Sequence, residues 1–151
     1  VCSSDLNKVP CPKDCIEFEL LESIVLNQVE LVSRVVKQLR EFGFSCALDD
    51  FGSGYSSFSV LTNADLNTLK IDRSLFQNES DTRERILVRH IVETAKELEM
   101  KVIAEGVETR GYVDILKELG CDYIQGFVFY KPMPAEEFEQ RFIIGNEKAE
   151  I

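Results

Sequence analysis

Acidic side chains that could act together stand near the ends of several short apolar runs, with a lysine and a glutamine among them. They are Glu19, Asp49, Asp50, Lys70, Glu105 and Gln125. Carboxylates gathered in one place repel one another, and hard divalent cations such as Mg²⁺ or Mn²⁺ remove that repulsion because they prefer oxygen ligands. Two such ions can share a bridging carboxylate and activate a water between them. Together with a lysine that orients or deprotonates the water, the set predicts hydrolysis of a phosphodiester.

Each of these residues also has an ordinary structural interpretation. An acidic residue that follows a strand often caps the next helix, and this alternative applies to Asp50 and to Glu22. A lone lysine at a strand end is often a solvated surface charge, which is the alternative for Lys70. The chemical interpretation therefore depends on the joint placement of the whole set.

That placement comes from alternating strand and helix patterns. Apolar runs predict strands at 16–20, 44–48, 68–72, 101–105 and 123–127, and helical periodicity predicts helices at 30–42, 85–99 and 112–119. Repeated strand–helix units indicate an α/β fold with parallel strands joined by right-handed crossovers. Polar residues at the carboxyl ends of different strands favour part of a β/α barrel, where those ends meet at one mouth. A doubly wound sheet would instead concentrate function at one switch point.

Composition and charge limit the classes of function. The 151 residues have a formal net charge of −10, from 27 acidic and 17 basic side chains. This charge argues against contact with DNA or with an anionic membrane, although divalent cations still allow an anionic phosphodiester to bind. The five cysteines are odd in number and scattered. They predict no disulfide framework and favour a reduced, cytoplasmic domain, which leaves open a membrane anchor elsewhere in a parent protein.

Several runs carry a specific family resemblance. Residues 49–58, DDFGSGYSSF, resemble the DDFGTGYSSL signature of EAL domains. Residues 68–74 resemble their LKIDRSF segment, and 102–109 their IAEGVET motif. The run 120–126, followed by Lys131 and Pro132, resembles their GCDxxQG…KP close, while 17–23 is similar to the ExTES element. The motifs follow the family's order and spacing from about residue 6 to residue 142.

The resemblance implies a role for each matching position. Glu19 and Asp49 would bind one metal ion, with Asp49 bridging to a second ion that is bound by Asp50 and, directly or through water, by Glu105. Lys70 would hold or deprotonate the attacking water, and Gln125 would hydrogen-bond near the water or the substrate. Support of the substrate and of the loop at the mouth is implied for Glu22, Phe51, Gly52, Asp72 and Glu108.

Two departures from the family pattern affect the expected extent of the domain. Leu21 stands where the family usually has Thr, and neither the ExLxR motif nor the metal-binding Asn of the third strand occurs in this chain. The resemblance therefore implies an incomplete (β/α)8 TIM-type barrel made of the last five strand–helix units. We expect a non-family, truncated start at residues 1–5, a partial EAL domain at 6–142 and a C-terminal tail at 143–151.

The function implied is hydrolysis of cyclic di-GMP to linear pGpG by a parent protein that uses two Mg²⁺ or Mn²⁺ ions. The chain alone is expected to be inactive, and the intact domain to form a homodimer. One alternative is a catalytically inactive EAL receptor that binds cyclic di-GMP or a partner protein. Another is an unrelated metal-dependent barrel.

Overall fold

The structure is a computed structural model that describes residues 11–54 and 58–145. The predicted start at 1–5, residues 6–10 of the predicted domain, positions 55–57 of the first motif and residues 146–151 of the predicted tail lie outside the described residues. Cys2 lies outside them as well.

One sheet of five parallel strands forms the centre of the described chain. The strands are β1 Glu17–Leu21, β2 Ser45–Phe51, β3 Thr68–Ile71, β4 Lys101–Ala104 and β5 Tyr123–Ile124. Each strand pairs with the next in the sequence, so that β1 and β5 are the edges of the sheet. This arrangement confirms the predicted α/β class and the predicted five parallel strands of a partial barrel.

Helices follow or connect the strands. They are α1 Glu22–Asn27, α2 Val29–Glu41, α3 Ser59–Asn63, α4 Thr82–Glu97, α5 Arg110–Leu119 and α6 Ala135–Phe138, the last continued by a π-helical turn at Glu139–Ile144. Short 3₁₀ turns lie at Lys13–Cys15 and Arg73–Leu75. Helix α4 begins three residues before its predicted start because Asp81 caps it, accepting a hydrogen bond from the backbone N–H of Arg83.

The two faces of the sheet have different chemistry. In the register, Leu48 lies opposite Leu69 and Leu69 opposite Val102, and all three side chains are buried on the face that the helices cover. Successive strand residues alternate between faces, so Lys70 and its neighbour Ile103 belong to the other face. The helix-covered face supplies the hydrophobic core, and the opposite face carries the polar residues predicted to act together.

None of the helices in the described ranges is long and apolar enough to cross a membrane.

Candidate functional site

Two adjacent carboxylates of β2 reach the same site because the strand is irregular at its end. Consecutive residues of a regular strand point to opposite faces. The pairing of β2 with β3 shifts between Leu48 and Phe51, and Asp50 has a φ of +57°, in the left-handed region. Carboxylate oxygens of Asp49, Asp50 and Glu105 consequently lie within 4.8 Å of one another. A non-glycine residue in this conformation is held there by its surroundings and is a common feature of functional sites.

Lys70 lies among the carboxylates. Its Nζ is 2.5 Å from Glu19 Oε1, 2.9 Å from Asp49 Oδ1 and 3.0 Å from Glu105 Oε1. The Lys70 side chain is 8% exposed, whereas that of Glu19 is 52% exposed. Side chains from four strands thus meet at the carboxyl ends of the sheet, as the sequence indicated.

Burial and charge act on the protons of this group in opposing ways. Burial alone would lower the pKa of Lys70, but its hydrogen bonds and charge interactions with Glu19, Asp49 and Glu105 outweigh burial and raise that pKa. Burial raises the pKa of Asp50, and the charge of Asp49 adds to the increase. The pKa of Glu105 is raised chiefly by burial, although Lys70 opposes the change. Four carboxylates around one ammonium therefore leave the site with an excess of negative charge.

The donor set fits a divalent cation. Asp49, Asp50 and Glu105 offer carboxylate oxygens, which are the ligands that Mg²⁺ and Mn²⁺ prefer. Asp49 Oδ1 is buried, and its contact among the described residues is the Lys70 ammonium at 2.9 Å. A buried acceptor in this condition has remaining capacity for a ligand. Glu19 lies outside the three-carboxylate group and contacts Lys70 instead.

The loop after β2 is fixed to the preceding elements through Gly52. Glu22 is buried, and its Oε2 accepts a hydrogen bond from Gly52 N at 3.2 Å. Gly52 has a φ of +98°, and a Cβ there would lie 2.3 Å from Leu75 Cδ1. A side chain here would be strained at this φ and would displace Leu75, so the glycine lets the chain turn just after Asp50 and Phe51. Phe51 is buried and packs its ring edge-on against Phe58.

The segments after β3 and β4 are tied to this loop and to each other. Asp72 donates its backbone N–H to Phe51 O, and its side chain accepts from Ser74 N at 2.9 Å. Glu108 Oε1 accepts from Arg73 Nη1 at 2.6 Å. Asp72 and Glu108 thus brace backbone segments at the mouth. Arg73 was not among the residues predicted for the site, although its place in the 68–74 run is a signal that points to it.

Gln125 lies at the carboxyl end of the sheet, but its side chain is not part of the cluster formed by Lys70 and the surrounding carboxylates. It follows β5, its side chain is exposed, and its backbone N–H donates to Ala104 O at 2.8 Å. The side chain makes no hydrogen bond within the described chain. The next residue, Gly126, was likewise not among the residues predicted for the site. A Cβ there would lie 2.0 Å from Val107 O, so only glycine permits this close backbone approach.

Parallel strands with an acidic group at their carboxyl ends define a segment of a β/α barrel whose carboxylates have the composition of a metal-binding cluster. The chain matches the family model of the EAL domain over residues 3–132 and belongs to that family.

Similar proteins agree with this assignment. The chain is 38% identical over 140 residues to the signaling protein YkoW of Bacillus subtilis, which covers 92% of this chain and 17% of that protein. It is 39% identical over 137 residues to the cyclic di-GMP phosphodiesterase PdeR of Escherichia coli, covering 90% of this chain and 20% of that protein. The chain thus spans a fifth or less of these curated relatives.

Solved structures share the fold. The EAL domain of Mycobacterium smegmatis DcpA superposes with a TM-score of 0.83 at 32% identity, covering 91% of this chain and 62% of that one. The phosphodiesterase PaMucR in complex with c-di-GMP superposes with a TM-score of 0.81 at 33% identity, covering 89% of this chain and 55% of that one.

Proposed function

We propose that the protein carrying this chain hydrolyses cyclic di-GMP to linear pGpG with Mg²⁺ or Mn²⁺. The observation that carries the proposal is the group of Asp49, Asp50 and Glu105, with Lys70 in contact with two of its members. Two relatives support the choice of substrate: PdeR is named a cyclic di-GMP phosphodiesterase, and PaMucR is a phosphodiesterase solved with c-di-GMP.

In this proposal the carboxylates at the carboxyl ends of the strands bind metal, and Lys70 contacts the water or the phosphoryl group. Asp49, Asp50 and Glu105 would hold the metal ions, with Glu19, which also contacts Lys70, as a further carboxylate beside Asp49 at one ion. When bound, such ions polarise a phosphoryl oxygen and make a coordinated water nucleophilic at neutral pH. The Lys70 ammonium offers N–H donors that would hold the attacking water or stabilise charge on a phosphoryl oxygen.

Other residues would position the substrate. Gln125 has an exposed amide that makes no hydrogen bond within the described chain, which leaves it available to the water or the nucleotide. Glu22 would keep the loop at Gly52 in place, and Asp72 and Glu108 would brace the neighbouring loops. We also expect the EAL domain to form a homodimer and to lie in the cytoplasm. The net charge of −10 argues against contact of this segment with DNA or with a membrane.

The test is a product analysis. Purified full-length protein is incubated with cyclic di-GMP and Mn²⁺, and the nucleotides are separated by chromatography. We expect linear pGpG, loss of turnover with EDTA and recovery when Mn²⁺ is added back. Calorimetric binding of cyclic di-GMP without turnover would instead support the inactive receptor, and the absence of both binding and turnover would contradict an EAL-type ligand site altogether.

A further inference from the structure

Lys70 occupies the place where a metal ion and an ammonium group compete for the same oxygens. Its contacts at 2.9 and 3.0 Å are to Asp49 Oδ1 and Glu105 Oε1, and both residues belong to the three-carboxylate group. The side chain is almost fully buried, so water screens little of its charge. A divalent cation bound by those oxygens would stand within a few ångströms of a positive charge, and the repulsion weakens its binding.

The same contacts have a favourable effect when no metal is present. Asp49, Asp50 and Glu105 converge on one small volume, and the charge of Asp49 acts on both of the others. Without a cation their repulsion would drive the strand ends apart or leave a carboxylate protonated. Lys70 replaces part of the missing charge. It sits on β3, between the strands that carry Asp49 and Glu105, so it also holds those strand ends together.

We propose that Lys70 is a built-in counter-ion: it keeps the metal-binding carboxylates assembled before the metal arrives, and it lowers the affinity of the site for that metal. The inference rests on the proposed function in that the three carboxylates are taken as metal ligands. The new element is that the charge of Lys70 makes the metal affinity of the site lower than the three carboxylates would have without it. The Lys70–Glu19 contact, which is the shortest at 2.5 Å, involves a carboxylate outside the three-carboxylate group.

The test compares metal binding in the full-length protein and in its Lys70→Met variant, a neutral side chain of similar length. Mn²⁺ titrations followed by calorimetry, with free Mn²⁺ counted by electron paramagnetic resonance, give the dissociation constants without any measurement of activity. We expect Lys70→Met to bind Mn²⁺ at least ~10-fold more tightly than the wild type, because the variant removes the repulsion between an ammonium and a divalent ion a few ångströms away, which exceeds a tenfold change in the dissociation constant at the effective dielectric of a protein. Without metal, the melting temperature of Lys70→Met should be lower than that of the wild type. Saturating Mn²⁺ should raise the melting temperature of the variant by more than it raises that of the wild type.

Lys101→Met is the matched control. Lys101 stands on β4, on the same face of the sheet, and its exposed ammonium lies 6.0 Å from the Tyr123 ring rather than among the carboxylates. The Lys101→Met substitution changes the net charge by the same amount as Lys70→Met. We expect the Mn²⁺ dissociation constant of this control to stay within about 3-fold of the wild type, because water and salt screen an exposed charge. Equal or weaker Mn²⁺ binding by Lys70→Met would overturn the inference.

Two further outcomes remain decisive. If Lys70→Met is unfolded without metal, circular dichroism during the Mn²⁺ titration replaces calorimetry. Recovery of the folded state would then support the counter-ion role, and a chain that stays unfolded at saturating Mn²⁺ would contradict it. If neither the wild type nor the variant binds Mn²⁺, the three carboxylates are not a metal site. That result would contradict both the proposed metal-dependent function and the counter-ion role, because both require these carboxylates to bind metal.

Discussion

Lys70 Nζ and Glu19 Oε1 are 2.5 Å apart, although 51 residues separate them in the sequence. The two side chains come from β3 and β1, with β2 between them. They meet because both project from the same face of the sheet, where Ala47 of β2 lies opposite Glu19 on one side and Thr68 of β3 on the other. The contact ties the edge strand to the centre of the site, so changes at Lys70 affect both charge and assembly.

Replacing Lys70 tests its part in the chemistry. We expect Lys70→Ala in the full-length protein to lower kcat for cyclic di-GMP by roughly 10²-fold or more, the range for a lost acid–base or charge-stabilising group. Binding of cyclic di-GMP, measured by calorimetry, should survive. Turnover close to that of the wild type would remove Lys70 from the mechanism.

The close approach of Gly126 to Val107 makes a prediction about stability. A Cβ at Gly126 would lie 2.0 Å from Val107 O and 2.4 Å from Val107 N. Backbone atoms cannot move aside as the end of a flexible side chain can, so Gly126→Ala should lower the free energy of unfolding by about 2 kcal/mol or more, as overpacking does. Urea denaturation of the full-length protein measures the change.

Gly54→Ala is the matched control for this substitution. A Cβ at Gly54 meets no atom of the described residues within 4 Å, so the free energy of unfolding should change by no more than about 0.5 kcal/mol. Equal stability of the two variants would mean that the segments after β4 and β5 are not packed as described.

The cysteines should differ in reactivity because their burial differs. Burial raises the pKa of Cys121 to about 12 and also raises the pKa of Cys46, whereas Cys11 and Cys15 are exposed. The thiolate is the reactive form. In a Cys2→Ser background at pH 8, Ellman's reagent should modify Cys11 and Cys15 rapidly and the other two only after unfolding. Rapid modification of all four in the native protein would contradict the packing at Cys46 and Cys121.

The same shift fixes the sign of a pH effect on stability. The folded state keeps the Cys121 thiol protonated, while an unfolded chain loses that proton near the ordinary value of 9.0. Below this value the thiol is protonated in both states and costs nothing. The free energy of unfolding should therefore fall as the pH rises from about 9.0 towards 12, and Cys121→Ala should reduce that fall.

The isolated chain of 151 residues should fold poorly. Within residues 11–54 and 58–145, both edge strands of the sheet are unpaired on one side, and Leu21 of β1 and Tyr123 of β5 are 43% and 51% exposed. The family's ExLxR and Asn positions also have no counterpart in this sequence. We expect poor solubility or partial folding, and at least ~10³-fold less turnover than the full-length protein, because metal and positioning contributions are lost. Cooperative melting with ordinary turnover would show that further strands are not needed.

The positions that meet around Lys70 could be predicted, whereas part of their geometry could not. Glu19, Lys70 and Glu105 stand at strand ends, which apolar runs and flanking residues identify. Asp50 joins Asp49 because of a register shift and a positive φ, and both depend on the pairing of β2 with β3. The contact of Gly126 with Val107 and the separation of Gln125 from the cluster around Lys70 likewise depend on how distant segments pack.

The most direct test of the account concerns Asp49. We predict that Asp49→Asn in the full-length protein abolishes formation of linear pGpG and lowers the number of bound Mn²⁺ ions, whereas Glu22→Ala weakens turnover through the loop and leaves at least one ion bound. Asp114→Asn, on the exposed side of α5, should match the wild type in both measurements. Mn²⁺ stoichiometry and turnover measured on the same preparations decide the matter: two unchanged metal equivalents, or ordinary turnover, in Asp49→Asn would contradict the assignment of this carboxylate.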